Sequence, residues 1–300
     1  MKYNIMICTD NNYLYQTTVL IESLILNNKQ LNFNIYIVGH DLESEKLNHL
    51  ILKIKMMSSL VEINYINIED ENTDKFQISG HISKAAYYRI IALKMLPDNV
   101  KRILYLDCDI IVNGNIQKLY NINLEGNLIA AAEDKKISRN LKDVYTNLDL
   151  NIETKYFNSG VILFNISELK KNGKFEEELM AIATDENIKL RFHDQDVLNK
   201  YFCNNVLFLE TRYYNQIVKE IKNKKEANWV LNNSIIIHYA DRRKPWKYNY
   251  IGYLDDLWWK YERKLEGDKE YKKYRKNHIL YKYIPFGLLR KIKRIFIKDI

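Results

Sequence analysis

The 300 residues are 47% hydrophobic, enough for one large domain with a full core, alone or with an appendage. The net charge of +8 resides in one place: eleven Lys or Arg against Glu270 and Asp299 give residues 269–300 a local net of +9, so residues 1–268 sum to −1, which argues against a nucleic-acid partner. Cys8, Cys108 and Cys203 are odd in number, far apart and without metal-ligand spacing, which excludes a disulfide framework and a zinc site and implies a reducing compartment.

In chain order, strand and helix periods alternate. "MKYNIMICTD" is too short an apolar run before Asp10 for a secretory signal, and "YNIMIC" within it reads as a strand. "YLYQTTVLIESLILNN" reads as a helix and "FNIYIVG" as a second strand. In "SEKLNHLILKIKMM", Leu47, Leu50, Ile51, Ile54 and Met57 recur at helical spacing; "LVEINYI" alternates as a third strand, and "SKAAYYRIIALKML" is helical up to Pro97. The apolar run "RILYLDCDIIV", residues 102–112, then reads as one strand whose alternation aims Asp107 and Asp109 at the same point and turns Cys108 away. This order predicts an α/β fold with a mainly parallel sheet flanked by helices, and ligands at the carboxyl ends of the strands, where Asp10 and Asp107 fall.

We expect a catalytic domain over residues 1–265 and a basic tail over 266–300. In "FGLLRKIKRIFIKDI", Leu288, Leu289, Ile292, Ile295 and Phe296 share one helical face, with Arg290, Lys291, Lys293, Arg294 and Lys298 mostly off it. Such a helix has apolar area to insert and cations to meet anionic headgroups, so residues 269–300 are expected at an anionic membrane surface; docking on the chain's own domain is the alternative. No segment approaches the roughly 18 apolar residues of a membrane span. The expected location is therefore cytoplasmic, peripheral at the inner face of the membrane.

Two adjacent carboxylates need a cation between them. A calcium loop fails, because its fifth, sixth and twelfth positions would be Ile111, Val112 and Lys118. A phosphohydrolase of the haloacid dehalogenase type, with Asp107 as nucleophile, is the rival; against it, that motif usually opens its domain, whereas three strand and helix units precede it here. The remaining chemical reading has both carboxylates gripping a hard divalent ion that bridges a nucleotide diphosphate. Downstream, "NSIIIHYADRRKPW" offers His238 at the end of an apolar strand and Lys244 six residues later, with Pro245 and Trp246 fixing the turn. Two carboxylates and one imidazole suit Mn²⁺ better than Ca²⁺, with Mg²⁺ as a substitute.

At this combination the chain resembles glycosyltransferase family 8, the retaining nucleotide-sugar enzymes that include lipopolysaccharide galactosyltransferases and glycogenin-like proteins. The resemblance runs in order through "CTDNNY" at 8–13, "YYR" at 87–89, "YLDCD" at 105–109, "YFNSGVILFN" at 156–165, "HDQDVLN" at 193–199 and "HYADRRKPW" at 238–246. It implies the A-type glycosyltransferase (GT-A) fold and transfer of glucose or galactose from a uridine diphosphate (UDP) sugar to a glycan, glycolipid or glycoprotein acceptor. It further implies that Asp10 and Asn12 contact the uridine, that Arg89 lies beside the donor, and that Asp107, Asp109 and His238 bind the metal. Asn158 and Asp194 would hold the donor sugar, with Gln195 beneath its anomeric carbon and Lys244 on the diphosphate. Were "DQDVLN" helical, Asp194, Gln195 and Asp196 would fan around the axis, so only the first two are assigned to the sugar and Asp196 to support. One departure stands out: Asp241, followed by Arg242 and Arg243, replaces the small residue the family commonly has shortly after the metal histidine.

Overall fold

A computed structural model of the chain describes residues 2–69, 85–241, 244–247, 252–266 and Lys272. Except for Glu266 and Lys272, the basic tail expected at 266–300 lies outside the described residues, as do Arg242 and Arg243. In chain order the elements begin with β1 (Lys2–Cys8), α1 (Leu14–Asn27), β2 (Asn32–Gly39), α2 (Ser44–Met57), β3 (Val61–Asn67) and α3 (Ala85–Met95). They continue with β4 (Ile103–Leu106), β5 (Ile110–Val112), α4 (Gln117–Tyr120), β6 (Ile129–Glu133), α5 (Lys135–Asn140), α6 (Lys142–Leu148) and β7 (Phe157–Phe164). Last come α7 (Ile166–Leu169), α8 (Phe175–Thr184), α9 (Asp194–Phe202), β8 (Val206–Leu209), α10 (Thr211–Tyr214), β9 (Gln216–Ile217), α11 (Lys224–Asn233), β10 (Ile236–His238) and α12 (Asp255–Glu266).

The main sheet has the order β3-β2-β1-β4-β7-β6-β8, and all its strands run the same way except β7, which is antiparallel to both neighbours. Both faces are covered, as a parallel sheet requires. Alternation along β1 and β2 does the sorting: Ile5, Ile7, Ile35 and Ile37 pack with Leu20, Leu24, Leu50 and Ile54 of α1 and α2, while Met6, Cys8, Tyr36 and Val38 pack with Ile90, Leu93 and Phe202 on the other side. Each such fully buried aliphatic side chain contributes about 1.5–3 kcal/mol.

The run from 102 to 112 is not the single strand expected. β4 stops at Leu106 and belongs to the main sheet; β5 starts at Ile110 and belongs to a second sheet, β5-β10-β9. Asp107, Cys108 and Asp109 form the turn that carries the chain from one sheet to the other. The turn is held from both sides: the Asp107 amide donates to the Gly160 carbonyl at 2.9 Å, and the Tyr239 amide donates to the Asp109 carbonyl at 3.0 Å. α1 lies between the sheets, which explains why it is buried nearly all round, including Thr17, Glu22 and Ser23. Ser23 Oγ accepts from the Val112 amide at 2.9 Å, tying α1 to β5. On the outer side of α1 the second sheet packs against Leu254, just before α12, and Leu257, Trp258 and Trp259 within it.

Candidate active site

The strand order reverses between β1 and β4, so the crevice at their carboxyl ends is the place this topology reserves for a ligand. Four segments converge there. The turn after β1 brings Asp10, whose Oδ1 accepts from the amides of Asn12 at 2.9 Å and Tyr13 at 3.1 Å and so starts α1. The turn after β4 brings Asp107 and Asp109. The reversed strand β7 lays Asn158, Ser159 and Gly160 beside Asp107, and β10 pairs His238 with Ile110. Sheet pairing, not sequence proximity, therefore brings the imidazole to the carboxylates.

Asp107, Asp109 and His238 offer ligand atoms all within 4.8 Å of one another. His238 is 2% exposed; its Nε2 lies 3.0 Å from Asp109 Oδ1 and 3.7 Å from Asp107 Oδ2. Its Nδ1 is 2.9 Å from Asn215 Oδ1. Asp109 Oδ1 is buried without a hydrogen-bond donor, while its Oδ2 accepts from Lys244 Nζ at 2.5 Å. Burial opposes the Asp109 charge, but Lys244 and His238 outweigh it and hold the carboxyl well below the usual carboxylate range. A Cβ added at Gly160 would stand 2.2 Å from His238 Cε1 and 2.8 Å from Asp107 Oδ2, so only glycine leaves this space open. An unfilled buried acceptor facing an imidazole nitrogen, in a cradle kept clear of side chains, fits a divalent cation with oxygen and nitrogen ligands.

Asp107 is steadied from behind. Its Oδ1 accepts from Tyr105 Oη at 2.7 Å and from Arg89 at 3.0 Å. Arg89, 3% exposed, also donates to the Ser159 carbonyl at 2.6 Å, sits 3.3 Å from Asp194 Oδ2 through Nε, and stacks over the Tyr105 ring at 3.8 Å. Expected beside the donor, it lies behind the carboxylates and ties Asp107 to Asp194. Cys8 and Cys108 lie beneath, with thiols pushed up by burial, Cys108 to about 12; neither offers a thiolate nucleophile at neutral pH.

Asp194 and Gln195 open α9, and the strain is local: His193 just before them has φ 51° and ψ −120°, a conformation nearly restricted to glycine. Gln195 Oε1 accepts from the Ser159 amide at 2.9 Å, Asn158 Nδ2 at 3.2 Å and Ser159 Oγ at 3.3 Å. Burial pushes the Asp194 carboxyl up to about 7 against the opposing Arg89 charge, and its Oδ2 has no aligned donor. Asp196 points elsewhere, accepting from Tyr156 Oη and the Phe192 amide, each at 2.6 Å. Lys244 Nζ also donates to the Tyr239 carbonyl at 2.6 Å. The unexpected carboxylate, Asp241, pairs with Lys219 at 3.2 Å. Asn12 lies exposed at the rim.

Sequence reasoning missed Tyr105, Gly160 and Asn215. Tyr105 reads as one more apolar residue of β4, and its hydroxyl announces itself only at the strand end. Gly160 was within a quoted motif, yet its reason is a neighbour 78 positions away. Asn215, after a four-residue helix, carries no sequence signal at all.

Comparison with known proteins agrees with this geometry. The sequence profile described as Glycosyl transferase family 8 matches residues 4–250. The lipopolysaccharide 1,2-glucosyltransferase of Escherichia coli K12 is 31% identical over 252 residues, covering 81% of this chain and 72% of that protein. The glycosyltransferase GlyF of Streptococcus pneumoniae is 29% identical over 87% of this chain, which spans 61% of GlyF's length. Among solved structures, the galactosyltransferase LgtC, in complex with donor and acceptor sugar analogs, superposes with a TM-score of 0.75 at 19% identity, over 91% of this chain and 99% of that one. The bifunctional glycosyltransferase WbbM superposes at 0.73 over 90% of this chain and 51% of that one, at 21% identity. Sheet order and these superpositions give the chain the GT-A fold, and the profile match over residues 4–250 makes it a member of glycosyl transferase family 8.

Proposed function

We propose that the chain is a divalent-cation-dependent, retaining hexosyltransferase that moves glucose or galactose from a UDP-sugar to a glycan, glycolipid or glycoprotein acceptor. The observation that carries this reading is the unfilled Asp109 Oδ1 facing His238 Nε2 at the β1–β4 crevice. Relatives named as lipopolysaccharide 1,2-glucosyltransferase and 1,3-galactosyltransferase support the hexose and the acceptor class. With the chain in this family, the phosphohydrolase reading of Asp107 has nothing left to explain.

Asp107, Asp109 and His238 would hold Mn²⁺ or Mg²⁺, which supplies Lewis-acid stabilisation of the leaving diphosphate when bound. Lys244 adds a fixed cation from the protein side, in a site poor in water where such a charge counts for more than in solution. Asp10 and Asn12 mark the uridine end. Asn158 and Asp194 hold the sugar, with Asp194 Oδ2 kept in place by the Arg89 guanidinium 3.3 Å away.

As the bond from the anomeric carbon to the phosphate oxygen breaks, its electron pair stays with UDP. The acceptor oxygen bonds to the same face of the anomeric carbon, and its proton passes to the departing phosphate oxygen. Gln195, held by three donors to its Oε1, is a poor nucleophile; with Asp194 it shields and stabilises the cationic sugar. A covalent sugar trapped on either side chain would overturn same-face attack.

A panel of nucleotide sugars with Mn²⁺, with and without chelator, tests the whole reading. Chelator-sensitive UDP release from one UDP-hexose is expected; silence across the panel contradicts it. The expected tail at 269–300 further points to a lipid-linked acceptor at the cytoplasmic face. Deleting 269–300 should abolish salt-sensitive binding to anionic vesicles and spare donor hydrolysis, and unchanged binding would remove the membrane from the proposal. No described helix is long and apolar enough to cross a membrane.

A further inference from the structure

Nothing in the metal ligands themselves fixes which imidazole nitrogen of His238 faces the carboxylates as a lone pair. A neutral imidazole with its proton on Nε2 would donate to Asp109 Oδ1, 3.0 Å away, and close the site to a cation. The neighbouring hydrogen bonds decide the matter, because they start from two backbone amides whose direction cannot change. The Gly160 amide donates to Asn158 Oδ1 at 3.0 Å, and the Ser159 amide donates to Gln195 Oε1 at 2.9 Å. Both amide side chains are thereby oriented, and Asn158 Nδ2 bridges to Gln195 Oε1.

Asn158 Oδ1 also receives Asn215 Nδ2 at 2.8 Å. Asn215, 1% exposed, must then turn its own Oδ1 toward His238 Nδ1, 2.9 Å away. A carbonyl oxygen only accepts, so a proton sits on Nδ1, and in the neutral imidazole that a metal needs the lone pair is then on Nε2, toward Asp107 and Asp109. We infer that Asn215 is the positioning residue that sets the His238 tautomer and makes the imidazole a metal ligand, and that β7 dictates this choice through Asn158.

This inference rests on the metal-site reading above. A ligating histidine normally gives its other N–H to a fixed acceptor, and loss of such an acceptor typically lowers metal affinity roughly 10- to 100-fold. The same chain of contacts joins the residues assigned to the sugar with those assigned to the metal, from Gln195 through Asn158 and Asn215 to His238.

The experiment uses the full chain, ¹⁵N-labelled at its six histidines, with the His238 signals assigned by their loss in His238→Gln. Long-range ¹H–¹⁵N spectra are recorded with diamagnetic Mg²⁺ or Cd²⁺, and Mn²⁺ affinity is read separately by electron paramagnetic resonance. In the wild type the Nδ1 proton of His238 should be slow to exchange. In Asn215→Ala that protection should vanish and Mn²⁺ should bind roughly 10- to 100-fold more weakly. Asn215→Asp loses the donor to Asn158 Oδ1 but keeps an acceptor toward Nδ1, so it should retain the Nδ1–H form and bind Mn²⁺ more tightly than the alanine variant, which also keeps the test intact should that variant not fold. Unchanged tautomer and affinity in Asn215→Ala, or an aspartate variant as weak as a folded alanine variant, overturns the role of Asn215. A wild type that binds no Mn²⁺ overturns the metal site itself, a distinguishable failure.

Discussion

The two halves of the cleft treat buried polarity differently. On the β7–α9 side, Asn158, Ser159 and Gln195 satisfy one another, and each amide orientation is fixed by a backbone N–H. On the β4–β10 side, two carboxylates and an imidazole face one another around Asp109 Oδ1, which is buried without an aligned donor. Buried polar groups are ordinarily paired, and leaving one unmade costs about 1–3 kcal/mol. On the β7–α9 side one such oxygen, Asp194 Oδ2, has the Arg89 guanidinium 3.3 Å away; on the β4–β10 side the facing carboxylates and imidazole mark where a cation belongs. The rigid side orients a substrate, and the incomplete side is completed by a ligand.

Breaking the incomplete side should have the largest effect. Asp109→Asn keeps the shape, removes a charge and leaves Lys244 without its carboxylate partner; turnover should fall at least about 100-fold, measured as UDP release at saturating donor and Mn²⁺. Unchanged turnover would show that the carboxylate is structural. Gly160→Ala tests the space that both halves share. Its methyl group would overlap the His238 ring, so melting should move down by the equivalent of about 1–3 kcal/mol and Mn²⁺ binding should weaken in parallel. A variant with wild-type melting and metal affinity would mean that the cradle has slack.

The smallest effect sharpens the comparison from outside the cleft. Glu22 on α1 is also buried, with Oε2 unfilled, yet burial, helped by Glu262, pushes its carboxyl up to about 7 against Lys264 and Lys53. Here a proton, not a metal, relieves the charge. Because the folded pKa is raised, the folded state holds a proton that the unfolded state releases between about pH 4.5 and 7. This contribution to stability is full below that window, lost as pH rises through it, and level above 7. Glu22→Gln should flatten the slope and make the variant more stable at pH 8 by ~1–2 kcal/mol in chemical denaturation. A wild-type slope in the variant would assign it to other groups.

The first half of the fold was legible in the sequence because its periods change cleanly. The helix read at 13–28 is Leu14–Asn27, and the strands read at 33–39 and 60–66 are Asn32–Gly39 and Val61–Asn67. The split at Asp107–Asp109 was not legible, because apolar residues continue on both sides and no Gly or Pro marks the turn. Reading one strand there led to the right convergence of carboxylates for the wrong reason: a turn between sheets aims them, not strand alternation. The reversal of β7 was hidden as well, since "FNSGVILF" is buried at every position and its periodicity carries no direction. Residues tied to a sheet pairing, such as His238, could be named from motif resemblance. Asn215 and Tyr105 act through partners that only the fold brings near.

Mn²⁺ titration of the full chain, followed by electron paramagnetic resonance with and without UDP, tests the central claim most directly. One Mn²⁺ should bind per chain, more tightly when UDP is present, and Asp109→Asn should bind none at the same concentrations. No bound Mn²⁺ in the wild type, or binding indifferent to both UDP and Asp109, would contradict a cation held by Asp107, Asp109 and His238 for a nucleotide diphosphate.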